Sequence, residues 1–156
     1  MSAEDDAETI EYIEEILETI AEAAGVDAEI RVEDTGEAIT AEFVGDDLAL
    51  LIGHHGQTID AIQHLAYRIA FHGVDERKPV TVDAAGYRER RAATLHAVAD
   101  QAAETAVREG RPVELEPMGP QERKVVHEHL KSRFDVETYS EGQEPNRHLV
   151  VAPLRD

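Results

Sequence analysis

Residues 50–71 read LLIGHHGQTIDAIQHLAYRIAF, and the interpretation of the whole chain turns on them. Residues 50–52 are apolar, Gly53-His54-His55-Gly56 interrupts them, and from Gln57 onward Ile59, Ile62, Leu65, Ala66 and Ile69 recur at helical spacing. His72-Gly73 closes the run. Two helical pieces are expected, over 47–52 and 57–71, meeting at a Gly-x-x-Gly turn. Glycine lets a backbone come close to a ligand, because it adopts angles that other residues avoid. The helix that follows aims free N–H groups and its dipole at whatever lies ahead, which suits an anion. Leu51, Ile52, Ile59 and Ile62 offer an apolar wall beside the turn.

On the N-terminal side, Ile10, Ile13, Leu17, Ile20 and Ala24 mark an amphipathic helix over 8–24, stopped by Gly25. Strands are expected near 28–33 and 38–44, joined by a turn at Thr35-Gly36-Glu37. A third follows at 79–83. The order α-β-β-α-α-β closes near residue 84 and builds an α+β unit with helices on one face of a three-stranded sheet. Beyond it, the pattern predicts a long Ala- and Arg-rich helix over 86–108, then a short strand at 113–115. A helix over 120–132 and strands at 135–139 and 148–152 complete the chain, punctuated by Pro117, Gly119, Gly142 and Pro145. The expected division is 1–84, a connecting helix over 85–110, and a small α/β domain over 111–156.

The chain has 156 residues, a formal net charge of −19 and no Cys. Lack of Cys excludes disulfides, thiolate-held zinc, iron–sulfur clusters and a Cys nucleophile. There is no apolar run of about 18 residues, so no membrane insertion is expected. The acidic start, Met-Ser-Ala-Glu-Asp-Asp, is not that of a secretory signal, and a cytoplasmic location is expected. Taken whole, the charge argues against a polyanionic partner. Yet residues 1–46 hold 16 acidic residues and 1 basic one, while 47–110 and 111–156 each hold 9 acidic and 7 basic. The acidity is mainly N-terminal, and the rest has room for local positive sites.

A Gly-x-x-Gly turn between helices, inside this element order, follows the logic of a KH module, whose loop clamps about four nucleotides. The same turn also fits a plain helix–helix corner that needs two glycines. Further on, Arg123 and His127 lie four apart and share a helix face. Together they offer a bidentate fork and a second donor to a phosphate. On spacing alone they fit equally a surface Arg beside a half-buried His. Tyr87-Arg88-Glu89-Arg90-Arg91 places three Arg at a helix start, where Arg88 and Arg91 either touch a nucleic-acid backbone or simply pair with Glu.

Four stretches taken in order are more specific than any one: LLIGHHGQTIDAIQHLAYRIAF, YRERR, GRPVELEPMGPQERKVVHEHL and VETYSEGQEPNRHLVV. Residues 47–156 resemble the Jag (SpoIIIJ-associated) family of bacterial RNA-binding proteins. The resemblance implies a type II KH fold, then an Arg-x-x-x-His domain, named for an Arg and a His with three residues between them. It implies binding of single-stranded RNA, with DNA left open, and no catalysis, cofactor or metal. It also implies post-transcriptional control linked to cell elongation and division, and a smaller single-KH protein as partner. Carried over, the first site is Gly53, His54, His55, Gly56 and Gln57, with Ile52 and Ile59 of the groove. The second is Arg123 and His127, with Arg147 added. Ser140-Glu141-Gly142 stands at the family's distance.

Two departures stand out. Many family members carry an extra N-terminal Jag domain, for which the residues before the KH strands leave no room. The family's loop is commonly basic at its middle positions, whereas this one has two His. The −19 charge and that neutral loop favour an alternative, an adaptor for protein interactions in envelope or division control. An enzyme is disfavoured. There is no Gly-x-Ser-x-Gly, no phosphate loop with Lys, no dinucleotide fingerprint and no His-Glu-x-x-His. A nuclease built on His127 would lack a second catalytic group. His127 and His129 are two apart on a helix and cannot share a metal. Imidazole is mostly neutral at pH 7 and gains a proton toward pH 6. Affinity for single-stranded RNA is therefore expected to rise as pH falls from about 8 to 6 as His54 and His55 charge, and a flat anisotropy profile across that range removes the idea.

Overall fold

A computed structural model describes residues 3–155. Met1, Ser2 and Asp156, at the ends of the expected first and last domains, lie outside the described residues. The chain forms two compact units, Met1–Arg88 and Glu89–Asp156.

In the first unit the elements are α1 (Ala3–Ala23), β1 (Glu29–Asp34), β2 (Ile39–Val44), α2 (Ala49–Ile52), α3 (Gln57–Ala70) and β3 (Val80–Ala84), with a 3₁₀ turn at His54–Gly56. β1 and β2 pair antiparallel, β2 and β3 parallel, in the order β1-β2-β3. The register aligns the apolar positions in rows across the sheet. Ile30, Phe43 and Ala84 form one row, and Val32, Ala41 and Val82 the next. Strand side chains alternate between faces, so the rows share one face while Arg31, Glu42 and Asp83 share the other. Ile13, Leu17 and Ala21 of α1 and Ile59, Ile62 and Ala66 of α3 cover the apolar face in one buried cluster. This is the α-β-β-α-α-β unit expected from the sequence.

β3 is an edge strand, and side chains occupy the outward backbone groups of Val82. The Val82 N–H donates to Gln63 Oε1 at 2.9 Å, and Arg88 Nε donates to the Val82 carbonyl at 2.9 Å. Capping an edge in this way blocks further strand addition.

The second unit contains most of α4 (Tyr87–Glu109), then β4 (Val113–Glu114), α5 (Pro120–Leu130), β5 (Val136–Glu141) and β6 (His148–Pro153). Its sheet is antiparallel, in the order β4-β6-β5. Leu95, Ala99, Ala102 and Ala103 of α4 join Val126 and Leu130 of α5 and Val136, Leu149 and Val151 in one core. The long helix, read from the sequence as a connector, thus gives this unit one of its walls. α4 offers small Ala side chains there, which permits close approach of the partner helix and sheet. α5 begins with Pro120, whose missing N–H costs nothing at a first helical position.

One ion-pair cluster fastens the N-terminal helix to the sheet. Lys78 Nζ donates to Asp6 Oδ1 at 2.7 Å and to Asp34 Oδ2 at 2.8 Å. The Lys78 hydrogen bond, followed by the Gly36 N–H, holds the Asp34 carboxyl below its ordinary value. Asp34, then Asp6, hold the Lys78 ammonium above its own. A depressed carboxyl contributes stability above its unfolded-state pKa, and that stability is lost as pH falls through the folded value. A raised lysine contributes below its unfolded pKa and loses its share as pH rises through the folded value. Asp34→Asn is therefore expected to lower Tm at neutral pH, with the gap from wild type closing as pH drops through the acid range. Melting curves of both proteins from about pH 7 to 3 check this.

Candidate nucleic-acid interface

The Gly53–Gly56 turn is built so that neither glycine can be replaced without distortion. Gly53 has φ 73° and ψ −175°, a region essentially reserved for glycine, and Gly56 has φ 77°. A Cβ on Gly53 would lie 2.7 Å from Thr58 Cβ, and one on Gly56 would lie 2.7 Å from Tyr87 Cε1. The Gly53 N–H donates to the Ala49 carbonyl at 2.9 Å, closing α2. Among the described residues, no side-chain hydrogen bond caps the start of α3. His54 is exposed and His55 half-buried, and their rings stack with centroids 3.8 Å apart. His55 itself is left-handed, with φ 51°. The turn thus presents two imidazoles and a backbone at the beginning of a helix.

The apolar wall differs from the expected one. Ile59 is fully buried in the core, and so is Leu51. Neither can meet a ligand, because the helical phase that seats Ile59 against the sheet turns it away from the turn's outer face. Ile52 is half-buried, and Leu50, 62% exposed, is the apolar side chain that α2 presents outward. Leu48 and Leu51 both pack inward, so the phase of this short helix could have singled out Leu50. Gln57 is exposed at the first position of α3. Leu65 and Ile69, expected on the buried side of that helix, are each 46% exposed; Ala66 and Ala70 take the inward positions.

Arg88 is engaged within the first unit. Besides the Val82 carbonyl, it donates to Asp60 Oδ1 at 2.7 Å and to Gln63 Oε1 at 3.0 Å. It caps the β3 edge and neutralises an acid in the first turn of α3. Arg91 is committed too, through a two-bond pair with Glu122 at 2.6 and 3.2 Å. At both positions of the Arg run the guanidinium has a carboxylate partner from a neighbouring element.

In the second unit, Arg123, Lys124, His127, Thr138, Ser140 and Arg147 line a recess of about 400 Å³. Arg123 and His127 do share a face of α5, and Arg147 reaches the same recess from the end of the β5–β6 loop. Arg123 is 9% exposed, and it donates to the Met118 carbonyl at 2.7 Å and to Glu144 Oε1 at 2.6 Å. It holds both the entry to α5 and the β5–β6 loop, while Glu144 remains about half exposed. His127 Nδ1 hydrogen-bonds to Thr138 Oγ1. Arg147 donates to the Gly142 carbonyl at 2.7 Å and so braces that loop. Lys124, adjacent to Arg123 and exposed, adds a cation that the sequence reading passed over. His129 points elsewhere, to Asp100 at 2.9 Å and onto the His96 ring. The recess collects cations in an acidic chain, with one carboxylate already seated on the most buried of them.

Comparison with known proteins matches this layout. The family described as "KhpA/KhpB, KH domain" matches residues 10–83, and the Arg-x-x-x-His domain family matches residues 93–153. The RNA-binding protein KhpB of Clostridium symbiosum is 35% identical over 147 residues, covering 94% of this chain and 65% of that protein. KhpB of Bacillus subtilis (strain 168) is 36% identical over 141 residues, covering 89% and 68%. KhpB of Lactiplantibacillus plantarum is 39% identical over 136 residues, covering 87% and 42%. The chain thus spans about two thirds of the length of the first two relatives and under half of the third.

The turn geometry generates a test with its own control. Gly36 has φ 88° but open space around it, whereas Gly56 has both a positive φ and the Tyr87 ring in the way. Gly36→Ala is expected to cost about 1–2 kcal/mol from backbone strain alone. Gly56→Ala should cost about 2–5 kcal/mol, since overpacking adds to the strain. Denaturant unfolding of both variants measures the difference, and equal costs would contradict the packing of Tyr87 on the turn.

Proposed function

The chain belongs to the KhpB (Jag) family, whose members join a KH domain to an Arg-x-x-x-His domain, and from that premise we propose that it binds single-stranded RNA and catalyses no reaction on it. KhpB is an RNA-binding family rather than an enzyme family. The Gly53–Gly56 turn carries the reading. Its two glycines leave a backbone free of Cβ atoms ahead of an α3 terminus that no side chain among the described residues caps. A phosphate lying there meets helix N–H groups and two imidazoles, and the exposed Leu50 supplies an apolar surface for a base. The Arg123–Lys124–His127–Arg147 recess acts as a second subsite for phosphate. Two weak sites on one chain raise affinity by effective concentration. In this reading the protein works in the cytoplasm in post-transcriptional control linked to cell elongation and division, with a small single-KH protein as partner.

Leu65 and Ile69, one turn apart on α3 and both about half exposed, favour a second reading. In it the first unit serves chiefly to dock a protein partner, and RNA binding is weak or needs that partner. The −19 charge points the same way.

The deciding experiment is an anisotropy titration of a mixed single-stranded RNA pool at about 150 mM salt, because phosphate-driven affinities mean little without a stated ionic strength. The His54→Asp/His55→Asp variant is expected to bind at least about tenfold more weakly, since carboxylates would face phosphates. It should fold, because acids at a helix N-terminus are favourable. Glu144→Gln should bind RNA more tightly than wild type, because it removes the carboxylate seated on Arg123, while Lys124→Ala should bind more weakly. Equal binding by wild type and the double Asp variant moves the site to the second recess. Absence of binding in every protein tested removes the RNA reading in favour of the adaptor.

A further inference from the structure

The geometry points to a metal site formed by Glu114, Glu141 and His148, for a divalent ion of the Zn²⁺ class. It is independent of the RNA reading. Each of the three strands of the second sheet contributes one ligand. His148 of β6 pairs with Glu141 of β5, and Val150, two residues along β6, pairs with Glu114 of β4. Positions two apart on a strand share a face, so the three side chains converge on one side of the sheet. Their donor atoms all lie within 4.8 Å of one another.

The His148 ring carries the argument. Its Nδ1 lies 3.3 Å from the Asn146 carbonyl, which can only accept, so Nδ1 holds the proton. Nε2 is buried and has no hydrogen-bond partner among the described residues. It faces Glu141 Oε2 at 3.8 Å and Glu114 Oε1 at 3.9 Å, both too far for a hydrogen bond. A neutral ring would aim its lone pair at two carboxylates. A charged ring would bury an N–H that reaches neither of them. A cation between the three donors removes both problems.

The dimensions fit. Zinc bonds of about 2.0–2.2 Å place tetrahedral donors about 3.4 Å apart. The two carboxylates need to move inward by roughly 0.5 Å, and both Glu side chains are more than half exposed and able to do so. One imidazole with two carboxylates suits a late first-row dication better than Mg²⁺ or Ca²⁺, which favour all-oxygen shells. A backbone carbonyl on Nδ1–H is the usual support for a ligating His. The fourth position is left to water. Arg111 borders the same part of the sheet, but its guanidinium is paired with Glu109 at 2.5 Å. A bound ion would tie β4, only two residues long, to the two longer strands and stabilise this unit by linkage.

The test is a Zn²⁺ titration of the full chain, free of tag histidines, against a chelating dye, with melting curves in parallel. Wild type should take up one tightly held ion per chain and melt higher when loaded. In His148→Gln and in Glu114→Gln/Glu141→Gln the affinity should drop by at least about tenfold and the gain in Tm should vanish. His54→Asn/His55→Asn should behave as wild type. Should His148→Gln fail to fold, the Glu double variant decides, since its side chains are exposed. No Zn²⁺ uptake by wild type, equal uptake by wild type and both site variants, or uptake lost only in His54→Asn/His55→Asn would overturn the assignment.

Discussion

A single missing atom holds the first unit's turn together. Gly56 has no Cβ, and the Tyr87 ring comes within 2.7 Å of where that Cβ would be. This approach places the start of α4 against the start of α3. The next residue, Arg88, then reaches the β3 edge, Asp60 and Gln63 at once. Gln63 in turn receives the Val82 N–H. Turn, helix start and sheet edge therefore form one connected network. Within the first unit the turn is held by packing behind it, through the Tyr87 ring.

The second unit solves a different problem. Its cationic recess is organised around an Arg that is nearly buried, and a buried guanidinium needs its donors satisfied. Met118 and Glu144 do this. The same bonds fix where α5 begins and how the β5–β6 loop sits, so Arg123 is both a strut and the deepest cation of the recess. Removing it would leave a carbonyl and a carboxylate without their donor, and loss of binding could not be told from loss of structure. Lys124 and Glu144 are exposed and make cleaner probes of the recess chemistry.

The secondary structure was legible in the sequence because it rests on periodicity. Ile13 and Leu17, then Ile39, Ala41 and Phe43, announce a 3.6 and a 2 period that burial confirms. The Gly-x-x-Gly turn and the shared face of Arg123 and His127 were legible for the same reason. What could not be read was which polar partners meet across elements. Arg88 and Arg91 look alike in sequence to free cations, and only the approach of Asp60, Gln63 and Glu122 from other helices commits them. Ile59, expected beside the turn, lies in the core because two apolar faces abut there, and sequence spacing does not say which of them reaches solvent. Glu144 lies 21 positions from Arg123, a distance no local pattern bridges.

Net charge and local recognition separate cleanly in this molecule. Of the 34 acidic residues, 16 fall within the first 46 positions, and Asp6 and Asp34 among them are engaged by Lys78. Exposed charges are screened beyond about 8 Å at physiological salt. Helix N–H groups act only at contact, so acidity farther off than that screening distance does not weaken them. In the proposed reading, affinity then comes from groups held within hydrogen-bond reach, such as those of the glycine turn and the Arg123 recess.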